Sequence, residues 1–141
     1  MKIVVNKCFG GFRLSLKAQK RLAELMGKEL YFYKQTKHEY ADGKNQYKKI
    51  TDIYDNSLFI YAVTKDMGEK TNILYNDKND YFYANDIERT NKLLIQVVEE
   101  LEDEANGSCA KLRIIEIPDG IEWEIDEYDG IETVHEVHRS W

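Results

Sequence analysis

With 141 residues, 43% hydrophobic and 33% charged, the chain has the length and balance of one globular domain that buries a core without disulfides or metal. No stretch approaches the roughly 20 apolar residues of a membrane-spanning helix, Met1–Cys8 is too short and polar for a signal peptide, and two cysteines make no disulfide framework, so a reducing cytoplasm is expected. The net charge of −6 is polarised: residues 1–98 hold 17 Lys and Arg against 12 acids, residues 99–136 hold 14 acids against Lys111 and Arg113, and this excludes non-specific DNA binding through the C-terminal third.

Lys2 to Cys8, with Ile3, Val4 and Val5 at its centre, predicts a buried strand. Gly10 and Gly11 follow as a turn between Phe9 and Phe12. Ser15 is placed to cap a helix whose apolar positions Leu16, Leu22, Ala23, Leu25 and Met26 run to a stop at Gly27. In α/β proteins such a strand–turn–helix start is where a ligand meets the backbone. Free amides at Gly10 and Gly11, the positive end of the helix and Arg13 would suit a phosphate or carboxylate. Neither a three-glycine dinucleotide fingerprint nor a P-loop lysine is present, so two glycines making a tight connection is the plainer alternative.

Leu30 to Tyr83 carries nine of the ten tyrosines, and Asp42-Gly43 is a hairpin signal between aromatic-rich runs. Leu58 to Val63 predicts a buried strand, Ile73 to Tyr75 and Tyr81 to Tyr83 shorter ones. Tyrosine and lysine interleave over residues 31–83, as for stacking on bases. With eight lysines against eight acids the span has no net positive field, so sheet packing or an aromatic pocket wall is the expectation.

Thr90 is placed to cap a second helix bearing Leu93, Leu94, Val97, Val98 and Leu101 on one face, with Gly107 as its end. Lys111 to Ile117 alternates as a strand, Pro118-Asp119-Gly120 turns the chain, and Ile121, Trp123 and Ile125 alternate with acids as a half-buried strand. After the turn at Tyr128-Asp129-Gly130, the spacing of Ile131, Val134 and His138 predicts a short terminal helix.

The fold expected is α/β (mixed α+β): a single domain over 1–141 with two main helices and a β-rich aromatic middle segment. Its mixed central sheet is expected to unite the first strand, the 58–63 strand and the two C-terminal strands.

The two ends carry a resemblance. Val5-Asn-Lys-Cys-Phe-Gly-Gly-Phe-Arg-Leu-Ser15, Glu104-Ala-Asn-Gly107, Ile117-Pro-Asp119, Trp123-Glu-Ile-Asp-Glu-Tyr-Asp-Gly-Ile-Glu132 and His138-Arg-Ser-Trp141 resemble a family of small uncharacterised proteins found in bacteriophages and prophages. The resemblance covers roughly the first 27 and the last 50 residues; it implies a phage or prophage origin and brings no chemistry with it. By analogy with other small accessory phage proteins it implies a role against host defence.

The expected ligand site is therefore Asn6, Cys8, Phe9, Gly10, Gly11, Phe12, Arg13 and Ser15, taking a small anionic ligand such as a nucleotide or cyclic-nucleotide signal without catalysis. The alternative is an acidic interaction surface at Glu122, Glu124, Asp126 and Asp129 that meets a basic host protein, with Tyr128, His135, His138 and Arg139 as secondary positions. A hydrolase using Cys8 with a histidine base ranks last, because no nucleophile–base–orienter set is legible. His135 and His138, with Glu132 in reach, lack a recognisable third ligand, so no metal and no cofactor is expected. Neither direct nucleic-acid binding nor a membrane is expected, and a homo-oligomer is left open.

Overall fold

The computed structural model describes residues 1–37, 46–57, 59–72 and 80–137. The elements in chain order are β1 (Lys2–Asn6), α1 (Leu16–Leu25), β2 (Tyr31–Lys37), β3 (Gln46–Ile50), β4 (Ile60–Val63), β5 (Lys70–Thr71), β6 (Tyr81–Phe82), α2 (Lys92–Leu101), β7 (Leu112–Glu116), β8 (Trp123–Tyr128) and β9 (Ile131–Glu136). The chain is a mixed α+β fold.

Its sheets differ from the one expected. β1 pairs with β7 alone, β8 with β9 alone, and a five-stranded sheet runs β5-β3-β2-β4-β6. Every pairing among the described residues is antiparallel. No single mixed sheet therefore unites the first strand with the 60–63 strand. Instead the two helices join the β1–β7 pair and the large sheet through one shared core. Leu22 and Ala18 of α1 and Leu94 and Val97 of α2, all with no solvent exposure, share one core with Val4 of β1, Leu112 of β7 and Phe32, Ala62 and Phe82 of the large sheet. Each such leucine contributes about 1.5–3 kcal/mol by leaving water.

The tyrosines follow from the period of two along a strand. Phe32 faces the helices, while Tyr31 and Tyr33 face the other way. There a second cluster is built on Tyr33 and Val63, with Tyr47, Tyr61, Tyr81 and Met67 packed against them. Tyr33 is wholly buried, and its hydroxyl donates to the Gly68 carbonyl at 2.7 Å and accepts the Met67 amide at 2.8 Å. The loop after β4 thus covers this face and satisfies the Tyr33 hydroxyl.

Ser15 caps α1 as expected, accepting the Ala18 amide, and Gly27 follows the helix at φ +76°. The second cap is Asn91 rather than Thr90: its side chain accepts the Leu93 and Leu94 amides. Asparagine reaches the first-turn amides as well as threonine does, and its place one residue later sets the boundary. The helix ends at Leu101, six residues before Gly107, because Glu102 at φ +52° opens a 3-10 turn over Glu102–Ala105. The 58–63 strand is formed from Ile60; Leu58, the Asp42-Gly43 signal and Ile73 to Tyr75 lie outside the described residues.

The expected terminal helix is a strand. Tyr128 pairs with Ile131 across Asp129 (φ +50°) and Gly130 (φ +89°), a two-residue hairpin with positive φ at both central positions. That is the geometry for which Asp-Gly is selected. Ile131, Thr133 and Val134 are β-branched, and this outweighs the helical spacing of Ile131 and Val134. His138 and Arg139 lie outside the described residues.

Candidate functional site

The first loop is held from two sides. Arg13 to Ser15 runs antiparallel to Ala105–Gly107, with Ser15 N–H donating to the Ala105 carbonyl and Gly107 N–H to the Arg13 carbonyl, each at 2.9 Å. On the other side the β8–β9 turn sits directly on Gly10 and Gly11, which take φ +110° and +96°. A Cβ placed on Gly130 would fall 2.2 Å from the Gly11 nitrogen and 2.7 Å from that of Gly10. Only a glycine at position 130 lets the two backbones meet this closely, whereas a Cβ on Gly11 would meet nothing within 4 Å and one on Gly10 would meet Cys109. The Gly10 amide donates to the Asp129 carbonyl at 3.2 Å, so it is a packing contact and not the free anion donor expected.

Beneath the junction lies a polar knot. Asn6 is wholly buried; its amide nitrogen donates to the Cys8 and Gly130 carbonyls at 2.7 Å each, and its oxygen accepts the Lys111 amide at 2.8 Å. Its backbone N–H donates to Glu132 Oε1 at 2.8 Å. Glu132, only 6% exposed, is gripped by both terminal nitrogens of Arg89 at 2.6 and 2.9 Å. The same guanidinium lies over the Phe12 ring, 3.6 Å from its centroid. A buried carboxylate tolerates low dielectric only when paired and hydrogen-bonded in this way.

Above the knot opens a groove of about 550 Å³, within the range of small-molecule sites. One wall is the loop Gly10–Leu16 with the start of α1; the opposite wall is the β4–β6 end of the large sheet, with Phe59, Tyr61, Tyr81 and Tyr83. Tyr81 and Tyr83 stack at 6.1 Å and 24° between ring planes. Phe59 and Tyr83 are about half exposed at its edge. Phe59 sits at φ +63°, a conformation that costs a bulky residue about 1–3 kcal/mol. Arg13 lines the groove, and its guanidinium has no hydrogen-bond or ion-pair partner among the described residues.

Of the residues expected at a ligand site, Gly10, Gly11, Phe12, Arg13 and Ser15 border this groove. The Ser15 hydroxyl is committed, donating to the Glu104 carbonyl at 2.7 Å and accepting the Ala18 amide. Asn6 lies below the groove as a structural bracket. Cys8 and Phe9 are off it, Phe9 being 60% exposed on the outside. An aromatic wall from the tyrosine-rich middle was an expectation, but Phe59, Tyr81 and Tyr83 were not singled out for it, and neither Arg89 nor Glu132 was placed at this site. Tyr83 was visible only as one of many tyrosines, and nothing local ties Arg89 to Glu132.

The acidic row is divided by the hairpin. Glu124 and Asp126 stand on the exposed face of β8, and His135, opposite Glu124, places Nε2 at 2.6 Å from Glu124 and Nδ1 at 3.0 Å from Asp126. Glu132 points to the other face. One oxygen or nitrogen from each of Glu124, Asp126 and His135 lies within 4.8 Å of the others, a spacing a divalent ion can use, although here both ring nitrogens serve carboxylates and clamp the hairpin. Asp129 supplies its carbonyl to the junction, and Tyr128 is 78% exposed beside it. The Cys8 thiol has no partner among the described residues, and His135 is committed to the acids. No helix is long and apolar enough to cross a membrane among the described residues.

No family model, curated protein or solved structure matches the chain.

Proposed function

We propose that the protein is a non-enzymatic binder of a small anionic ligand with a flat ring, of which a nucleotide is the best-fitting class. The observation that carries this reading is the groove. The half-exposed aromatic residues Phe59 and Tyr83 line it together with Arg13, whose guanidinium has no partner among the described residues. Ring stacking supplies about 1–3 kcal/mol per base, and the guanidinium orients an acidic group. The resemblance of the chain's ends to phage proteins adds a setting, in which holding a nucleotide signal inside the bacterial cell would blunt a host response.

Thermal unfolding against a panel of nucleotides is the test. A ligand present at 100 times its Kd stabilises the folded state by about 2.7 kcal/mol, a shift easily read. Tyr83→Ala should remove the shift, while the lost stack on Tyr81 lowers the stability of the free protein by only about 0.5–1.5 kcal/mol. A panel in which no nucleotide stabilises the protein sinks the reading.

One observation favours a second reading, an acidic surface for a basic protein. Among the described residues β8 pairs only with β9, and Glu124 and Asp126 project from it into solvent. Such binding would weaken steeply with salt and with Glu124→Lys.

A further inference from the structure

The charges around the groove do not balance, and the imbalance selects a ligand by its charge; this inference rests on the nucleotide reading above. Arg89 is committed to Glu132 by two hydrogen bonds, so that pair offers little net field. Arg13 is the remaining groove cation without a partner among the described residues. Two further carboxylates border the same space, Asp55 and Glu127. Hydrogen bonds from Ser57 hold Asp55 below the usual carboxylate range, so it stays ionised, and Lys34 at 3.9 Å offsets it only in part.

A polyphosphate would bring several negative charges to one guanidinium flanked by these acids, and most of them would meet repulsion. A phosphomonoester carries about −1.5 to −2 at neutral pH, still beyond a single free cation. A nucleoside would leave the guanidinium unused. A single negative charge uses the guanidinium and meets the least repulsion from the flanking acids.

We propose that the groove's ligand is a nucleotide whose phosphate is a diester bearing a single negative charge, the cyclic mononucleotides being the simplest members. Its ring lies on Tyr83 and Phe59, and its phosphate meets Arg13.

Titration calorimetry on the full chain tests this with three probes for each base: the 3′,5′-cyclic mononucleotide, the nucleoside triphosphate and the nucleoside. For the preferred base the cyclic form is expected to bind at least tenfold more tightly than either alternative. Arg13→Met should bring it to the nucleoside's affinity while keeping the stem that packs beside Gly107, and Arg13→Lys should restore part of the gain. Asp55→Asn with Glu127→Gln should narrow the gap to the triphosphate severalfold. A triphosphate that binds as tightly as the cyclic form overturns the charge assignment and leaves the nucleotide reading standing. Equal binding of nucleoside and cyclic form, indifferent to Arg13→Met, also overturns it. Silence from every probe overturns both.

Discussion

Arg89 and Glu132 stand 43 residues apart in sequence and meet as a two-pronged pair at 2.6 and 2.9 Å, with the Phe12 ring stacked on the guanidinium. Through this pair the segment before α2, the last hairpin and the first loop are tied at one point. Arg89→Met would strand a buried carboxylate and is expected to cost about 3–5 kcal/mol in urea unfolding. Arg89→Met combined with Glu132→Leu should recover a good part of that loss. The remainder is the Asn6 amide left without its acceptor, about 1–3 kcal/mol. A double variant no more stable than the single one would contradict this account.

Two glycines with similar φ separate crowding from backbone preference. Gly120, at φ +81°, has open space where a Cβ would go, whereas Gly130, at φ +89°, does not. Gly120→Ala should cost about 1–2 kcal/mol, the penalty of the left-handed region. Gly130→Ala should cost well over about 3 kcal/mol, because the first loop must move away. Chemical denaturation of both variants measures the difference.

The cap of α2 is assigned by a simple pair. Asn91→Ala should lower stability by about 1 kcal/mol, since the Leu93 and Leu94 amides lose their acceptor. Thr90→Ala, one residue earlier, should change it little.

Acid sensitivity should pass through Asp66. Its carboxylate accepts from Lys49 Nζ at 2.6 Å and from the Gly68 amide at 2.8 Å, and these hold it below the usual carboxylate range. A group whose folded value is depressed stabilises above its unfolded value, and the gain is lost as pH falls through the folded one. Lys49 is raised by the same contact, so its contribution holds below the usual lysine range and fades as pH climbs through the folded value. The pair therefore acts between roughly pH 4 and pH 10. Asp66→Asn should lower the urea midpoint across that window, with the two curves converging toward pH 2. Parallel curves would exclude the pair as a source of acid sensitivity.

What could be read in advance was local. Ser15 and Gly27 bracket α1 because a cap and a stop act within a few residues. The crowding of tyrosines between Leu30 and Tyr83 foretold a sheet, because tyrosine favours half-buried pleated surfaces. The terminal segment misled because Ile131 and Val134 fit a helical spacing as well as a strand, and the deciding signal was the Asp129-Gly130 pair ahead of them. The arrangement of sheets was hidden, since antiparallel pairing of β1 with β7 joins residues more than a hundred positions apart. The site was half legible. Its loop side announced itself through the glycines, whereas the aromatic wall and the Arg89–Glu132 pair depend on contacts that no short window contains.

The close seat of Gly130 on Gly10 and Gly11 bears on how the molecule is made. A ribosome adding about 5–20 residues per second releases the first loop many seconds before the final hairpin exists. Through that interval Gly10 and Gly11 have nothing to close against, and β1 must wait for β7 as well. The groove is thus among the last features to take shape during synthesis. A nascent chain halted ahead of residue 130 would carry Arg13 and Tyr83 and still lack the turn against which the first loop is seated.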